Sequence, residues 1–365
     1  MYKVLTIIVL FFINLYVLHA NEINEWYYTA YTLKQAGNMH EAIEWYEKIL
    51  AQQPNHVHAH IGLAQAQLAT GDLINGFQQL EWRLGKPPSY TKEAHTYLCS
   101  HERLDNKIIL LRAEWGMGDL LQMLRYAKLL KERGAKIKLA PIHERLIPLL
   151  KLQPYLDEII SRGSPLPPFH IQIPIMSLPM VFETTLKTIP AHIPYLTVEQ
   201  QRIDQWDNLF DTNFFNIGIC WHGNIIHDEH KFMPLKYFLP LTDINSVNLY
   251  SLQQYHGLEQ LADGHDKLHI LPSHVDADGA FLDTAAIMMH LDLIITVDTA
   301  IAHVAGALGK PVWLIVSHNT DWRWLQNRYN SPWYPTMRIF RQQIVNDWKT
   351  VGDQLYNELE KIIAQ

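Results

Sequence analysis

The sequence predicts an α/β protein, with two domains of alternating strands and helices behind an all-helical repeat segment. Three observations predict it. Gly37 and Gly71 close matching helix pairs 34 residues apart; residues 107–140 read as strand, glycine turn, helix, strand; and from Asn216 to Val316 apolar strands alternate with helical stretches. The boundaries that follow are an apolar leader at 1–20, repeat helices at 21–100, a first α/β domain at 105–195, a second at 200–345 and a terminal helix at 346–365. With 365 residues, 48% of them hydrophobic and 18% charged, the chain has the composition of a globular protein of several domains. A net charge of −7 without any lysine or arginine block excludes a protein that lives on nucleic acid, so any phosphate is held locally. Two cysteines, Cys99 and Cys220, lie far apart and make neither a disulfide framework nor a cysteine metal site.

Residues 4–18 are almost wholly apolar behind Lys3, the charge order of a signal peptide more than of a ~20-residue membrane span. A cleaved signal and an uncleaved anchor each predict an exported or membrane-associated body; the third reading is a buried helix or an over-extended start, with a cytoplasmic body. In the repeats, a first helix ends at Gly37-Asn38, Met39–Gln53 form a second, and Pro54 opens the next pair, which runs through Gly71-Asp72 to Arg83. The 34-residue period is that of the tetratricopeptide repeat, and Ala42, Tyr46 and Pro54 fit its small, aromatic and proline positions. Two repeats rarely stand alone, so the pair is expected to pack on a neighbouring part of the chain. Next, Lys107–Arg112 reads as a buried strand, Gly116-Met117-Gly118 as a turn, Asp119–Arg133 as an amphipathic helix capped by Gly134, and Ala135–Ala140 as a second strand. A proline-rich stretch at 165–194 leads out of this domain. Strands at Asn216–Trp221, Val247–Leu252, Lys267–Leu271, Leu291–Val297 and Pro311–Val316, with helices at Asp283–His290 and Thr299–Leu308, imply a parallel sheet covered on both faces. The last helix, Asn346–Ile363, is placed to tie the two halves together.

The sharpest chemical signal is Asp298-Thr299-Ala300-Ile301-Ala302-His303, where a strand's carboxyl end turns directly into a helix. Ligands of open α/β sheets bind in that crevice, and a helix N-terminus suits a diphosphate. The alternative is that Asp298 and Thr299 only cap the helix and His303 is a satisfied core histidine. Gly116, Gly118 and Asp119 occupy the matching junction of the first domain, where Asp119 reads either as a general base toward a hydroxyl acceptor or as a plain helix cap. His222, His227 and His230 lie near Asp228 in a loop, a weak zinc signal in a chain with twenty histidines, and Lys231 in the same loop reads as a phosphate neutraliser or a solvated lysine. Asp321-Trp322-Arg323-Trp324 and Ser331-Pro332-Trp333-Tyr334 follow the strand Pro311–Val316, where rings stack on sugar or base and Arg323 offers a phosphate-binding fork, or where the tryptophans staple a loop to the core.

The run from Leu291 to Trp313 closely resembles the C-terminal signature of heptosyltransferase-like proteins, glycosyltransferase family nine, and in particular the bacterial subgroup with tetratricopeptide repeats. Gly116-Met117-Gly118-Asp119 with Gln122 and Arg125-Tyr126, Gly218-Ile219-Cys220-Trp221-His222-Gly223-Asn224, Asp321–Trp324, Ser331–Pro335 and Arg338–Arg341 match as well, so the resemblance spans roughly Trp26 to Arg341. It implies a GT-B fold, two facing Rossmann-like domains, and a metal-independent, inverting transfer from a nucleotide-sugar donor without a cofactor. It also implies a donor diphosphate near Asp298, Thr299, Ala300 and His303, with Trp221, His222, Gly223 and Lys231 alongside. Asp119 matches the family's proposed base. Gly116, Gly118, Gln122, Asp321 and Arg323 are expected on the acceptor side or in the cleft. The sequence departs from the subgroup at His227–Leu235, where Lys231-Phe232-Met233 stand before Pro234-Leu235 in place of an Arg-Ser-Ile segment. The rivals are therefore a nucleotide-binding repeat scaffold without turnover, a nucleotide-sugar isomerase on the same fold, and a metal hydrolase built on the histidine loop. The expected partners are the nucleotide sugar and a protein or glycan acceptor presented by the repeats, with membrane association through residues 4–18.

Overall fold

A computed structural model describes residues 21–85, 98, 103–223, 232–263 and 266–364, so the apolar leader and Lys231 lie outside the described residues. The chain forms two compact units. One holds the repeat helices together with Asp321–Gln326; the other holds both sheets.

In the repeat unit, α1 (21–35), α2 (Met39–Gln52), α3 (Val57–Thr70) and α4 (Leu73–Leu80) form two antiparallel pairs. Gly37 and Gly71 sit at φ 84° and 94°, the left-handed conformation that ends a helix and that glycine adopts without strain. Ile23, Ala30, Ala42, Tyr46, Ile49, Ala59 and Leu63 make the core, and Gly62 lets the Tyr46 ring lie directly on α3, where any Cβ would collide with it. Asp321–Gln326 completes this unit. The Trp322 ring stands edge-on to Phe77 at 5.4 Å, and Gln326 donates its backbone N–H to Ala69 O at 3.0 Å and its amide to Gly37 O at 2.7 Å.

The second unit carries two parallel sheets. Strands β1 (Ile108–Arg112), β2 (Lys136–Ala140), β3 (Glu158–Ile159) and β4 (Ile171–Pro174) form a four-stranded sheet ordered β3-β2-β1-β4. Strands β5 (Phe215–Cys220), β6 (Val247–Ser251), β7 (Leu268–Ile270), β8 (Leu293–Val297), β9 (Val312–Val316) and β10 (Met337–Arg341) form a six-stranded sheet ordered β10-β9-β8-β5-β6-β7. That order is the doubly wound one. The chain leaves β5 in one direction for β6 and β7, then returns to its other side for β8, β9 and β10, so a topological switch point lies between β5 and β8. Every residue of β8 and β9 is buried, as expected of central strands covered on both faces. The terminal helix, Trp348–Ile363, differs from expectation: its buried residues Trp348, Val351, Leu355 and Leu359 belong to the core of the six-stranded sheet, because its apolar stripe matches that sheet's own exposed side. Among the described residues no helix is long and apolar enough to cross a membrane.

Candidate functional site

Two strand-to-helix junctions face each other. In the first domain β1 ends at Arg112, and the glycine-loop helix Met117–Glu132 begins after Gly116, whose backbone N–H donates to Asp119 Oδ2 at 2.7 Å. Asp119 thus satisfies the N–H of the cap residue, the half of a capping box that does not need a side chain on the cap. In the second domain β8 runs into Thr299, whose hydroxyl accepts from Ile301 N at 3.2 Å and caps the helix Ala300–Ala307. The two helices meet at Gly118. A Cβ there would lie 2.8 Å from His303 Cδ2 and 3.5 Å from both His303 Nε2 and Ala300 Cα, so only glycine admits this approach.

Beside that meeting point is a cavity of about 290 Å³. Its walls come from the carboxyl ends of three strands: Cys220, His222 and Gly223 after β5; Leu252, Gln253, Gln254, Tyr255 and His256 after β6; and Thr299, Ala300 and Ile301 after β8. Phe281 adds an aromatic wall, and Met117 reaches in from the first domain's glycine loop. This is the switch-point crevice, and its size is at the lower end of ligand pockets, roughly 300–1,000 Å³.

Side-chain amides hold the walls. Gln253 Oε1 accepts from the N–H groups of Trp221 at 3.1 Å and His222 at 3.0 Å, while its Nε2 donates to His222 O at 2.9 Å and His256 O at 2.7 Å. One glutamine thereby pins the tip of β5 to the tip of β6. Gln254 Nε2 donates to Asp276 Oδ2 at 2.9 Å; Asp276, 2% exposed, also accepts from Asp283 N, Thr284 N and Thr284 Oγ1, fixing the start of the helix Leu282–Met289 behind Phe281. The first domain braces the same segment: Arg145 donates to Asp276 O at 2.6 Å, and Ala280 N donates to Arg145 O. The Cys220 thiol is pushed up to about 11 by burial and stays a weak donor to Gln253 Oε1 at 3.3 Å.

Measured against the sequence-based expectations, His222, Gly223, Thr299 and Ala300 line the cavity, and Gly116, Gly118 and Asp119 form the junction beside it. His303 is 5% exposed, with its Nδ1 2.8 Å from Tyr334 Oη and its Cδ2–Nε2 edge against Gly118. Asp298 sits half-buried at the carboxyl end of β8. Three expectations change. Trp221 is absent from the cavity wall; its indole is fully buried and donates to Gly257 O at 3.1 Å, since successive strand residues point to opposite faces and the large apolar ring takes the core side. Gln122 is fully buried too, so it does not stand on an open acceptor face. Asp321 and Arg323 belong to the repeat unit, where the guanidinium pairs with Asp321 Oδ1 at 2.8 Å and lies 4.3 Å from the Trp322 ring centroid; burial of Trp322 and Trp324 draws the whole turn there. His227 and His230 of the zinc reading lie outside the described residues. Gln253, Gln254, Tyr255, His256 and Phe281 were not singled out by motif. The reasoning that selected 298–303, a strand's carboxyl end at a helix start, applied equally to the carboxyl end of β6.

Residues 33–73 match a tetratricopeptide repeat, and residues 245–342 match glycosyltransferase family 9 (heptosyltransferase). Protein FlbA of Caulobacter vibrioides is 22% identical over 289 residues, covering 73% of this chain and 48% of FlbA, so the chain spans about half the length of the curated relative it matches. Among solved structures, a family 9 glycosyl transferase from Veillonella parvula superposes with a TM-score of 0.56 at 12% identity, over 72% of this chain and 98% of that one. The ADP-heptose lipopolysaccharide heptosyltransferase II of E. coli superposes with a TM-score of 0.50 at 15% identity, over 71% and 100%. At these identities the likeness is one of fold: paired parallel-sheet domains of GT-B type.

Proposed function

We propose that this chain, which carries a tetratricopeptide repeat and a heptosyltransferase-like family 9 region on a GT-B fold, transfers a sugar from a nucleoside diphosphate donor held in the switch-point cavity to a hydroxyl acceptor. The observation that carries the reading is the cavity itself. It joins the hydroxyl-capped N-terminus of the helix Ala300–Ala307 to Met117 of the facing glycine loop, whose carboxylate, Asp119, stands at the junction beside it.

In this reading the nucleoside lies between the tips of β5 and β6, against Tyr255 and Phe281, and the diphosphate lies at Thr299 and Ala300, where the positive end of the helix favours negative charge. Asp119 takes the proton of the acceptor hydroxyl as its oxygen bonds to the anomeric carbon. The bond from that carbon to the diphosphate breaks from the opposite side, which inverts the centre, and the departing charge is met by backbone N–H groups and His303. No metal or cofactor enters the scheme. The E. coli relative is named for ADP-heptose, which makes ADP the first nucleotide to try here; the sugar and the acceptor stay open.

One observation favours a second reading, a scaffold that binds nucleotide without turnover: Asp119 Oδ2 is already engaged by Gly116 N–H. A single experiment separates the two. Thermal shifts of the protein are recorded with ADP, GDP, UDP, CDP and dTDP, for the wild type and for His303→Ala, and the stabilising nucleotide's sugars are then assayed for transfer. The transferase reading expects stabilisation by one nucleotide, about 2.7 kcal/mol at a hundred times its Kd, lost in His303→Ala, and nucleoside diphosphate released only when acceptor is present. Binding without release under any acceptor supports the scaffold, and no shift with any nucleotide rejects both.

A further inference from the structure

Arg125, on the glycine-loop helix, is 2% exposed, and among the described residues no carboxylate lies within ion-pair distance of it. A buried charge is costly unless its surroundings replace water. Here three backbone carbonyls do so, Gln122 O at 2.8 Å, Trp333 O at 2.6 Å and Pro190 O at 3.2 Å, together with the rings of Tyr195, Trp333 and Tyr334, whose centroids lie 4.9, 5.4 and 4.6 Å from the guanidinium carbon. One further bond leads away from this cage: Nη2 reaches Tyr195 Oη at 3.0 Å.

A guanidinium only donates, so Tyr195 Oη accepts and its own proton is directed elsewhere. Tyr334 Oη lies 3.3 Å away, Leu121 O 3.1 Å, and Tyr334 Oη is in turn 2.8 Å from His303 Nδ1. A fixed positive charge turns neighbouring hydroxyl dipoles oxygen-inward, so the Tyr195 proton points outward, shared between Leu121 O and Tyr334 Oη, and the Tyr334 proton, turned away by the same charge, points to His303. Burial holds the Tyr334 phenol well above the ordinary tyrosine range, so it keeps the proton it has to donate. Gly306 makes the geometry attainable, since a Cβ there would stand 2.5 Å from the Tyr334 ring.

We infer that Arg125 is a positioning residue, acting through Tyr195 and Tyr334 to make His303 Nδ1 an acceptor and so keep the imidazole proton on Nε2. That nitrogen lies on the edge packed against Gly118, which also approaches Ala300 of the cavity wall. A proton there is a donor for an anion at the helix N-terminus; the opposite tautomer would turn a lone pair toward it. The inference rests on the donor-site reading above.

The test is imidazole ¹⁵N–¹H NMR of the full chain labelled at histidine, with the His303 signals assigned by their loss in His303→Ala. Calorimetric titration with ADP, and with the other nucleoside diphosphates of the panel, accompanies it. The wild type is expected to show His303 protonated at Nε2. Tyr334→Phe, which keeps the ring and removes only the hydroxyl, is expected to shift His303 toward the Nδ1-protonated form and to weaken nucleotide binding about tenfold. Arg125→Lys, which keeps the charge and loses the fork, should shift the tautomer in the same direction by less. A wild-type His303 protonated at Nδ1, or a Tyr334→Phe spectrum identical to wild type at His303, overturns the inference. If instead His303→Ala binds nucleotide as tightly as wild type, the donor-site reading fails while the spectra still decide where the proton sits.

Discussion

The junctions at Gly116 and Thr299 are built on the same plan, a parallel strand turning into a helix, yet they are capped differently. At Gly116 the cap residue has no side chain, so the carboxylate of Asp119 folds back onto the Gly116 N–H at 2.7 Å and leaves negative charge at the helix start. At Thr299 a hydroxyl caps the turn through Ile301 N, and the first turn of that helix carries no acidic residue of its own, while Asp298 stands half-buried just before the cap. The glycine cap draws a carboxylate of its own helix onto its N–H, and the threonine cap uses its own hydroxyl instead. The two junctions meet across Gly118, where the absence of a side chain brings His303 and Ala300 against the opposite helix.

Three substitutions would break or sharpen this contrast. The largest effect is expected from Asp119→Asn, which keeps a capping acceptor while removing the base: transfer should fall on the order of 10³-fold with the nucleotide-induced thermal shift unchanged. If that shift disappears as well, the two junctions do not have separate roles. Gly118→Ala comes next. Alanine is the better helix former, so an isolated helix would gain, but the Cβ 2.8 Å from His303 Cδ2 should outweigh the gain and destabilise the protein by about 1–3 kcal/mol in urea unfolding, with weaker nucleotide binding. A neutral or stabilising result would mean that the helices are not held together as tightly as Gly118 requires. The smallest effect is expected from Thr299→Ala, a loss of about 1 kcal/mol in the same measurement from the missing cap. An unchanged unfolding midpoint would show that the hydroxyl is not needed to start the helix.

The elements themselves were largely legible. Gly37 and Gly71 announce the repeat because only a residue tolerant of positive φ ends a helix in that way, and the run Leu293–Val297, apolar but for Thr296, reads as a strand covered on both sides or a buried helix, which the cap at Thr299 resolves. The site was half legible. Thr299 and Ala300, chosen at a strand's carboxyl end, and His222 and Gly223, implied by the resemblance, are in the cavity wall, whereas Trp221, implied with them, and Asp321–Trp324, chosen for their aromatic and charged side chains, are drawn elsewhere by burial of their tryptophans. Gln253, Gln254 and Asp276 carry no motif. Their work is to satisfy backbone groups at the tips of β5 and β6 and at the start of the helix Leu282–Met289, a role defined by partners up to tens of residues away in sequence.

By itself the sequence determined most of the strands and helices, though not β3, β4 or β10, together with the junctions at Gly116 and Thr299, since these depend on backbone conformation and on contacts within a few residues. Only the tertiary structure decided that Arg125, Tyr195, Tyr334 and His303 form one chain of hydrogen bonds, and that Met117 closes a cavity otherwise made by the second domain. Those arrangements bring together residues up to 209 positions apart, Arg125 and Tyr334 among them. Spacing along the chain carries no record of such meetings; the packing of one helix against another, through the gap that Gly118 leaves, creates them.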